Sequence, residues 1–373
     1  MKRISLFLLL FLLLKATVMY SQDGHPETNF RIVPVSPNAA SLGTFGMIPT
    51  DNYVGQANLT IPIYEIDLDG KKFPIALSYH TDGTRVAQEA TWIGLGWTLQ
   101  AGGCVVRQVQ GTDDFAARGC YNLTDAPWLT NPRFEVTDQN LEKYMGYFKG
   151  DYDAEPDMFY FNAGGHSGSM YFDVLKNNRQ LNAVPTIQTQ EKVVKMVYNT
   201  SNKTWTMTDL EGYVYSFSTK EITYYFLNTI DFFQTDITRS HIFPYYNEPQ
   251  IVTAWMLDSV TSPNGGKITF SYKKESIFTP ISTTEDVISL SKIVNGQLSS
   301  QSPQYFTNKF NYNYSYSKIE QWTLSAITFE GGKVEFGTTD REDIESAETG
   351  KKVQKLSSIK VSDCLLYTSD AAD

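Results

Sequence analysis

The first clear structural signal in the chain is an alternation of apolar and polar residues with a period of two. Apolar side chains recur at Leu59, Ile61, Ile63 and Ile66, and again at Phe73, Ile75, Leu77 and Tyr79. This spacing is typical of strands that bury one face. The segment between the two runs, residues 67–70, ends in Asp-Gly and favours a tight turn. The pattern predicts an antiparallel β-hairpin.

Further short runs with strand composition follow, and Gly, Asn and Asp separate them. They lie at residues 158–162, 169–172, 193–198, 205–208 and 213–218. Only residues 138–149 have helical spacing, with Asp138 as the N-cap, and predict a short helical insertion packed on a sheet. We therefore assign residues 58–250 to an N-terminal β domain. A lead-in rich in Pro, Gly, Asn and Ser precedes it over residues 22–57 and is predicted to be extended.

The second half of the chain contains an internal repeat. Residues 255–260 and 264–270 are echoed by residues 322–327 and 330–336, and residues 356–359 begin a third copy. Each copy consists of a strand, a Gly-Gly turn and a second strand, and a hairpin that cannot bury its own face must stack on a neighbour. Residues 251–363 are therefore predicted to start a β-hairpin array. The predicted fold class is mainly β, with antiparallel sheets, a sandwich-like N-terminal part and little helix.

Composition narrows the function further. Aromatic residues make up 14% of the chain, which favours sheets. The net charge of −10 disfavours a nucleic-acid partner, because a phosphate backbone would be repelled. The three cysteines, Cys104, Cys120 and Cys364, have neither zinc-site nor redox-pair spacing. A disulfide between Cys104 and Cys120 and a pair of buried thiols both remain open.

The N-terminus predicts export. Lys2 and Arg3 precede an apolar run over residues 4–14, and Ser21 offers a cleavage position, so residues 1–21 are assigned to a signal peptide. The apolar run is too short to span a bilayer, and no transmembrane span is expected in the mature chain. Removing Lys2, Arg3 and Lys15 changes the net charge from −10 to −13. The predicted location is outside the cell or on its surface.

A dense Gly and Trp motif lies between the predicted hairpin and the later strands. It comprises Trp92, Gly94, Gly96, Trp97, Gly102, Gly103 and Arg107. Glycines that alternate with large apolar residues allow close backbone approach beneath aromatic rings, so the motif is interpreted as a tightly packed turn. A dinucleotide-binding loop is disfavoured, because Leu99 occupies the final glycine position of that fingerprint.

Two segments contain residues that could bind a metal ion or act in catalysis. Acidic residues alternate along one segment: Asp151, Asp153, Glu155 and Asp157. In an extended chain, their carboxylates would share one face. The segment is interpreted either as a solvated loop or, as a weak candidate, as a calcium site. Pro156 replaces the glycine of a calcium-binding helix-loop-helix. Residues 165–169 resemble a serine nucleophile elbow at Ser167, but the flanking strands favour a hairpin turn. No catalytic residue or cofactor is therefore assigned, with calcium kept as the one candidate.

Exposed Tyr and Trp side chains would suit a carbohydrate-binding or adhesion module, since glycans stack on aromatic faces. In a β array, most such rings are more simply explained as cross-strand core pairs. The glycan-binding module is therefore the alternative function, and a surface glycan or protein is a candidate partner.

Several ordered motifs together resemble the N-terminal region of exported Rhs/YD-repeat proteins, a group related to the B-component shells of toxin complexes. They are residues 36–43 (SPNAASLG), 59–64 (LTIPIY), 75–80 (IALSYH), 92–107, 155–159 (EPDMF), 164–168 (GGHSG) and 262–265 (SPNG). The resemblance covers nearly all of residues 36–361. It implies a non-catalytic β shell built from strand repeats, which encloses or presents a variable C-terminal effector such as a toxin or adhesion domain.

The chain departs from the full family pattern. It contains no G-x-x-x-R-Y-x-Y-D repeat run, autoproteolytic core segment or C-terminal effector. Residues 364–373 interrupt the third repeat copy and resemble translated sequencing-adapter text, so we expect a non-native tail on a truncated fragment. The partners that the resemblance implies are the downstream repeats and the effector domain of the same full-length chain.

Overall fold

The computed structural model describes residues 35–39, 42, 58–80, 86, 88–111, 113–116, 119–120, 141, 145, 153, 155–172, 185–188, 194–231, 250–289, 293–294, 297–298 and 308–363. Eighteen strands are present in this part of the chain, and their pairings are antiparallel. The strands are β1 (Asn58–Leu68), β2 (Lys71–His80), β3 (Trp97–Gln100), β4 (Gly103–Gln108), β5 (Met158–Ala163), β6 (His166–Tyr171), β7 (Thr186–Ile187), β8 (Val194–Asn199), β9 (Thr204–Asp209), β10 (Val214–Asp231), β11 (Gln250–Thr261), β12 (Lys267–Phe278), β13 (Ser282–Ser289), β14 (Ile293–Val294), β15 (Gln297–Leu298), β16 (Asn308–Phe329), β17 (Gly332–Asp340) and β18 (Gln354–Asp363). The mainly β, antiparallel fold class is confirmed.

The hairpin predicted from the first alternating segment is confirmed as β1 and β2. Asp69 and Gly70 form its two-residue turn, with φ angles of 50° and 93°. The left-handed conformation at both turn positions matches the right-handed twist of the flanking strands. Gly70 N donates a hydrogen bond of 2.8 Å to Asp67 Oδ1. Strand β3 pairs with β2 and completes a three-stranded sheet.

The remaining large sheet has thirteen strands, and two of its strands organise it. Strand β10 pairs with β9, β11 and β16, and β16 pairs with β10, β12, β13 and β17. Because β11 also pairs with β12, the strands β10, β11, β12 and β16 form a closed circuit of pairings. The predicted boundary at residue 250 falls within this circuit, so the two predicted parts share main-chain hydrogen bonds.

The internal repeat is present as two hairpins. Copy 1 forms β11 and β12, and copy 2 forms the end of β16 and β17, with Gly265 and Gly331 at equivalent turn positions. The Trp that opens each copy uses its indole in the same way. Trp255 Nε1 donates to Lys203 O at 2.8 Å, and Trp322 Nε1 donates to Lys220 O at 2.6 Å. The first strand of the third copy lies in β18.

The core is rich in aromatic side chains. Phe159, Phe172, Tyr198, Trp205 and Trp255 are buried and contact one another, with 4.8 Å between the ring centroids of Tyr198 and Trp205. Tilted and edge-on contacts of this kind add to the stabilisation from area burial. Wherever the burial of a Trp, Tyr or Phe side chain is described, that side chain is buried or only partly exposed. The described rings therefore serve mainly as core, as expected for a β array.

Some predictions lie outside the described residues. These include the signal peptide, most of the lead-in, the tail and Asp151. In the predicted insertion at residues 138–149, only Leu141 and Met145 are described, and both are helical and exposed. No helix within the described ranges is long and apolar enough to cross a membrane.

The Gly and Trp motif forms the turn before β3 and the sharp connection from β3 to β4. Gly96 has a φ of 75°, a left-handed conformation that a β-branched residue avoids. Gly103 lies close to β5, and a Cβ at this position would lie 2.5 Å from Asn162 O. Nearby, Trp92 packs edge-on against Phe336, with 6.3 Å between the ring centroids. The motif thus joins the two sheets.

Because of this backbone conformation, Gly96→Val should lower the free energy of unfolding by about 1–2 kcal/mol, the usual cost of a left-handed conformation for a residue with a Cβ. Gly96→Asn is the matched control, since Asn tolerates this conformation better than other non-glycine residues. Thermal unfolding of the two variants and the wild type checks the prediction. Equal melting temperatures for wild type and Gly96→Val would contradict it.

Candidate functional site

Three clusters of buried polar side chains are the candidate sites. The first is centred on Arg107, which lies in β4 and is 2% exposed. The register between β4 and β5 places Arg107 opposite Phe159. Asp157 immediately precedes β5, so the same register brings its carboxylate next to the guanidinium. Two segments that the sequence singled out separately, the Gly and Trp motif and the acidic run, therefore meet at this cluster.

The Arg107 guanidinium is bound by two carboxylates. Its Nε donates to Asp157 Oδ2 at 2.8 Å, and its Nη2 donates to both Asp157 and Asp113. The guanidinium carbon also lies 5.0 Å from the centre of the Phe115 ring. A buried charge is tolerated only when it is paired and hydrogen-bonded in this way.

The loop after β4 closes over this ion pair. Asp157 Oδ1 accepts from Gln110 N at 2.7 Å, while Asp157 N donates to Asp114 Oδ2 at 2.7 Å. Asp114 N in turn donates to Asp157 Oδ2 at 3.2 Å. Gly119 packs against this loop, since a Cβ there would lie 2.0 Å from Asp113 O. The loop is therefore held by reciprocal contacts between Asp114 and Asp157.

Asp114 is the least satisfied member of the cluster. It is fully buried, and its Oδ1 has no hydrogen-bond partner. Burial, together with the charge of Asp157, raises the pKa of Asp114 to about 8. Burial also raises the pKa of Asp157, against the opposing effect of Arg107. The raised pKa favours the protonated form of Asp114 beside the ion pairs that Arg107 forms with Asp157 and Asp113.

The described members of the acidic run, Asp153, Glu155 and Asp157, do not form the single carboxylate face expected for an extended chain. The described residues at 153 and 155–157 are not in a strand, and Asp157 points to Arg107. Asp153 is 6% exposed and its Oδ1 accepts from Glu155 N at 2.9 Å, whereas Glu155 is exposed. No group of three or more His, Cys, Asp or Glu side chains that could hold a metal ion occurs in the described part. Calcium binding by this segment stays a prediction.

The second cluster joins the two sheets through Lys71 and Asp209. Lys71 Nζ lies 2.5 Å from Asp209 Oδ2 and 3.0 Å from Glu211 Oε2. Asp209 Oδ2 also accepts from Tyr215 Oη at 3.1 Å, and Tyr213 Oη donates to Leu68 O at 3.0 Å. Burial lowers the pKa of Lys71, but the bonds to Asp209 and Glu211 outweigh it and raise the pKa overall. Lys71 is therefore a charged structural contact.

Ser167, which follows His166 in β6, does not have the backbone context of a nucleophile elbow. Gly164 and Gly165 form the tight turn between β5 and β6, with φ angles of 59° and 81°. Ser167 thus follows a turn between two strands, whereas an elbow leads from a strand into a helix. The Nε2 of His166 lies 3.8 Å from Asp209 Oδ2 and therefore faces the second cluster.

The third cluster ties the lead-in to the large sheet. Residues 37–39 form a helical turn, and Ser36 Oγ accepts from Ala39 N at 3.1 Å. Ser36 also donates to the fully buried Glu221, through its N at 2.7 Å and through its hydroxyl. Thr253 Oγ1 donates to the same carboxylate at 3.1 Å. Burial raises the pKa of Glu221, while these three hydrogen bonds oppose the shift.

Cys104 lies beside this third cluster. Both Cys104 and Cys120 are buried, and neither forms a disulfide. Burial, with the charge of Glu221, raises the pKa of Cys104 and so disfavours the nucleophilic thiolate. Of the two possibilities that the sequence left open, the structure has the buried thiols.

Sequence reasoning identified Arg107 and Asp157 but missed their partners. Asp113 and Asp114 follow Gly111 closely, and a pair of adjacent acids after a buried strand was the available signal. Lys71, Asp209 and Glu221 gave no local signal, because their partners are distant in sequence. Ser36 and Glu221, for instance, are separated by 185 positions.

The solved structures compared below resemble this chain only distantly. No family model matches the chain, and no curated protein matches it. Three similar solved structures are TcdB2-TccC3 with Cdc42 (12% identity, TM-score 0.29), the Tc holotoxin pore of Photorhabdus luminescens with a TccC3 variant (10%, 0.28) and the N-terminal domain of the effector protein SpvB from Salmonella typhimurium strain LT2 (10%, 0.28). They cover 82%, 88% and 82% of this chain.

The chain spans 13% of each of the two toxin-complex chains and 98% of the SpvB domain. These identities and TM-scores are too low to assign a function.

Asp114 makes stability depend on pH. Its pKa is raised in the folded state, so the stability present below the unfolded pKa, near 4, is lost as pH rises towards 8. Asp114→Asn cannot ionise, and its melting temperature relative to wild type should therefore increase between pH 5 and pH 8. Glu330→Gln, which changes an exposed acid, is the control and should show no such trend. A pH-independent difference between Asp114→Asn and wild type would contradict the assignment.

Proposed function

We propose that the chain is the leading part of a non-catalytic β scaffold, belonging to a secreted or cell-surface Rhs/YD-repeat protein that encapsulates or presents a C-terminal effector domain. The observation that carries this proposal is the stacked hairpin array. Two copies of the repeat are neighbours in one sheet, because β12 of copy 1 pairs with β16 of copy 2. Such an array extends by adding copies, which suits a shell wall.

The use of the buried charged groups supports a scaffold. Buried charged residues such as Arg107, Lys71 and Glu221 would be candidate catalytic residues in an enzyme. Here each of them is hydrogen-bonded to a partner on another segment of the chain. Their positions at junctions between segments match a role in holding the wall together. The ordered motifs that resemble Rhs/YD-repeat proteins support the same proposal.

The alternative is a secreted carbohydrate-binding or adhesion module. Stacking on a sugar needs an exposed aromatic face. Since the rings whose burial is described are buried or only partly exposed, this alternative would depend on other aromatic residues of the chain. The scaffold is therefore the function that the geometry supports better.

Sequencing the source locus with long reads across the codon for Asp363 tests the proposal. The scaffold predicts that the reading frame continues into further repeats and a variable terminal domain. A genuine stop codon after the codon for Asp373 would contradict it and favour a self-contained module. A glycan array with and without a chelator would then test that module and its candidate calcium site.

A further inference from the structure

The two repeat copies share one register, and this register extends to the third copy. Between copies 1 and 2, Phe270 pairs with Ile327, and between copies 2 and 3 the equivalent Phe336 pairs with Ile359. Both junctions contain an irregularity at the next step, after Ser271 and after Gly337. An irregularity at the same position shows that β18 occupies the structural place of a first repeat strand.

The pairing inside each copy is also the same. Val260 pairs with Ile268 in copy 1, and Ile327 pairs with Val334 in copy 2. The equivalent residue of copy 3 is Ile359. A second strand of copy 3 would therefore place its own Ile or Val opposite Ile359.

Along one side, the first strand of each repeat copy has two successive neighbours. In β11 the first part pairs with β4 and the end pairs with β12, whereas in β16 the first part pairs with β10 and the end pairs with β17. In β18, Leu356 N donates to Trp92 O at 2.8 Å, so the beginning of the strand is again covered by an earlier segment. Over residues 357–362, no strand of the described chain pairs with this outer edge.

Burial falls at the equivalent positions of the third copy. Leu257 is 1% exposed and Leu324 is 7% exposed, whereas Leu356 is only partly buried. Val260 and Ile327 are both 0% exposed, whereas Ile359 is only partly buried. Val361 in the same strand is 37% exposed. Beside this edge, the third copy therefore has less apolar cover than the first two copies.

We propose that the outer edge of β18 over residues 357–362 binds an extended strand of the pattern Gly-Gly-Lys-(Ile/Val)-x-Phe, antiparallel, with its Ile or Val opposite Ile359. An unpaired edge is a template for strand addition, in which main-chain hydrogen bonds give affinity and alternate side chains give specificity. The inference deepens the proposed scaffold and rests on it, since the strand is the wall's next element. The occupant follows from the register that the first two copies share.

The test uses the full chain and a fluorescent peptide with the sequence of residues 264–272 (NGGKITFSY), the second strand of copy 1. The control peptide carries Ile268→Lys and Phe270→Ser. Fluorescence anisotropy should show that the control binds at least about tenfold more weakly, because it loses the apolar pair with Ile359 and the Phe ring that would lie diagonal to it, opposite Ser357. Hydrogen exchange at residues 357–362 should slow with the first peptide and not with the control.

A second form of the test removes the cost of association. In it, residues 364–373 are replaced by Gly-Gly-Lys-Ile-Thr-Phe-Ser-Tyr, or by the same segment with the two control changes. The first chain should protect residues 357–362 from exchange, and the second should not. Equal protection in the two chains, or equal binding of the two peptides, would overturn the proposal. Protection that appears without peptide and grows with protein concentration would also overturn it, because a second copy would then be the occupant.

These outcomes are separate from those of the proposed function. A locus that stops after Asp373, combined with selective peptide binding, would reject the effector-bearing scaffold and leave the strand-accepting edge in place. A locus that continues, combined with unselective binding, would reject the edge alone.

Discussion

The structure depends on one constraint: the main-chain N–H and C=O groups of every buried strand must find partners. The two longest strands, β10 and β16, meet this constraint by changing neighbours along their length. This exchange closes the circuit of β10, β11, β12 and β16 and ties residues on both sides of position 250 into one sheet. At the outer part of β18, no strand of the described residues supplies these partners, and the sheet presents an edge there.

The buried polar clusters have a common role, because each lies where two segments meet. Arg107 joins β4 to the segment before β5, Lys71 joins the three-stranded sheet to the end of β9, and Glu221 joins the lead-in to β10. Removing one partner of such a pair would leave a buried charge unpaired, which is strongly destabilising. The clusters therefore fix the arrangement of the segments, and Asp114 makes one of them sensitive to pH.

The sequence predicted those features that depend on neighbouring residues. The Asp69-Gly70 turn, the period-two strands and the Gly-Gly hairpins all follow from local rules, and the structure has them. Contacts between distant residues were not predictable. Asp113 as a partner of Arg107, Asp209 as a partner of Lys71 and Ser36 as a partner of Glu221 result from strand order, which one sequence does not specify. The acidic run illustrates this difference between local and distant contacts. Its alternation predicted a shared carboxylate face, whereas Asp157 forms an ion pair with the distant Arg107.

Hydrogen exchange of the unliganded chain, followed by mass spectrometry, tests the central claim that a closed circuit of strands makes one scaffold from both halves. The circuit predicts that the amides of β10, β11, β12 and β16 open together, as the slowest-exchanging unit of the chain. Two independent opening events, one confined to residues before position 250 and one to residues after it, would contradict the account.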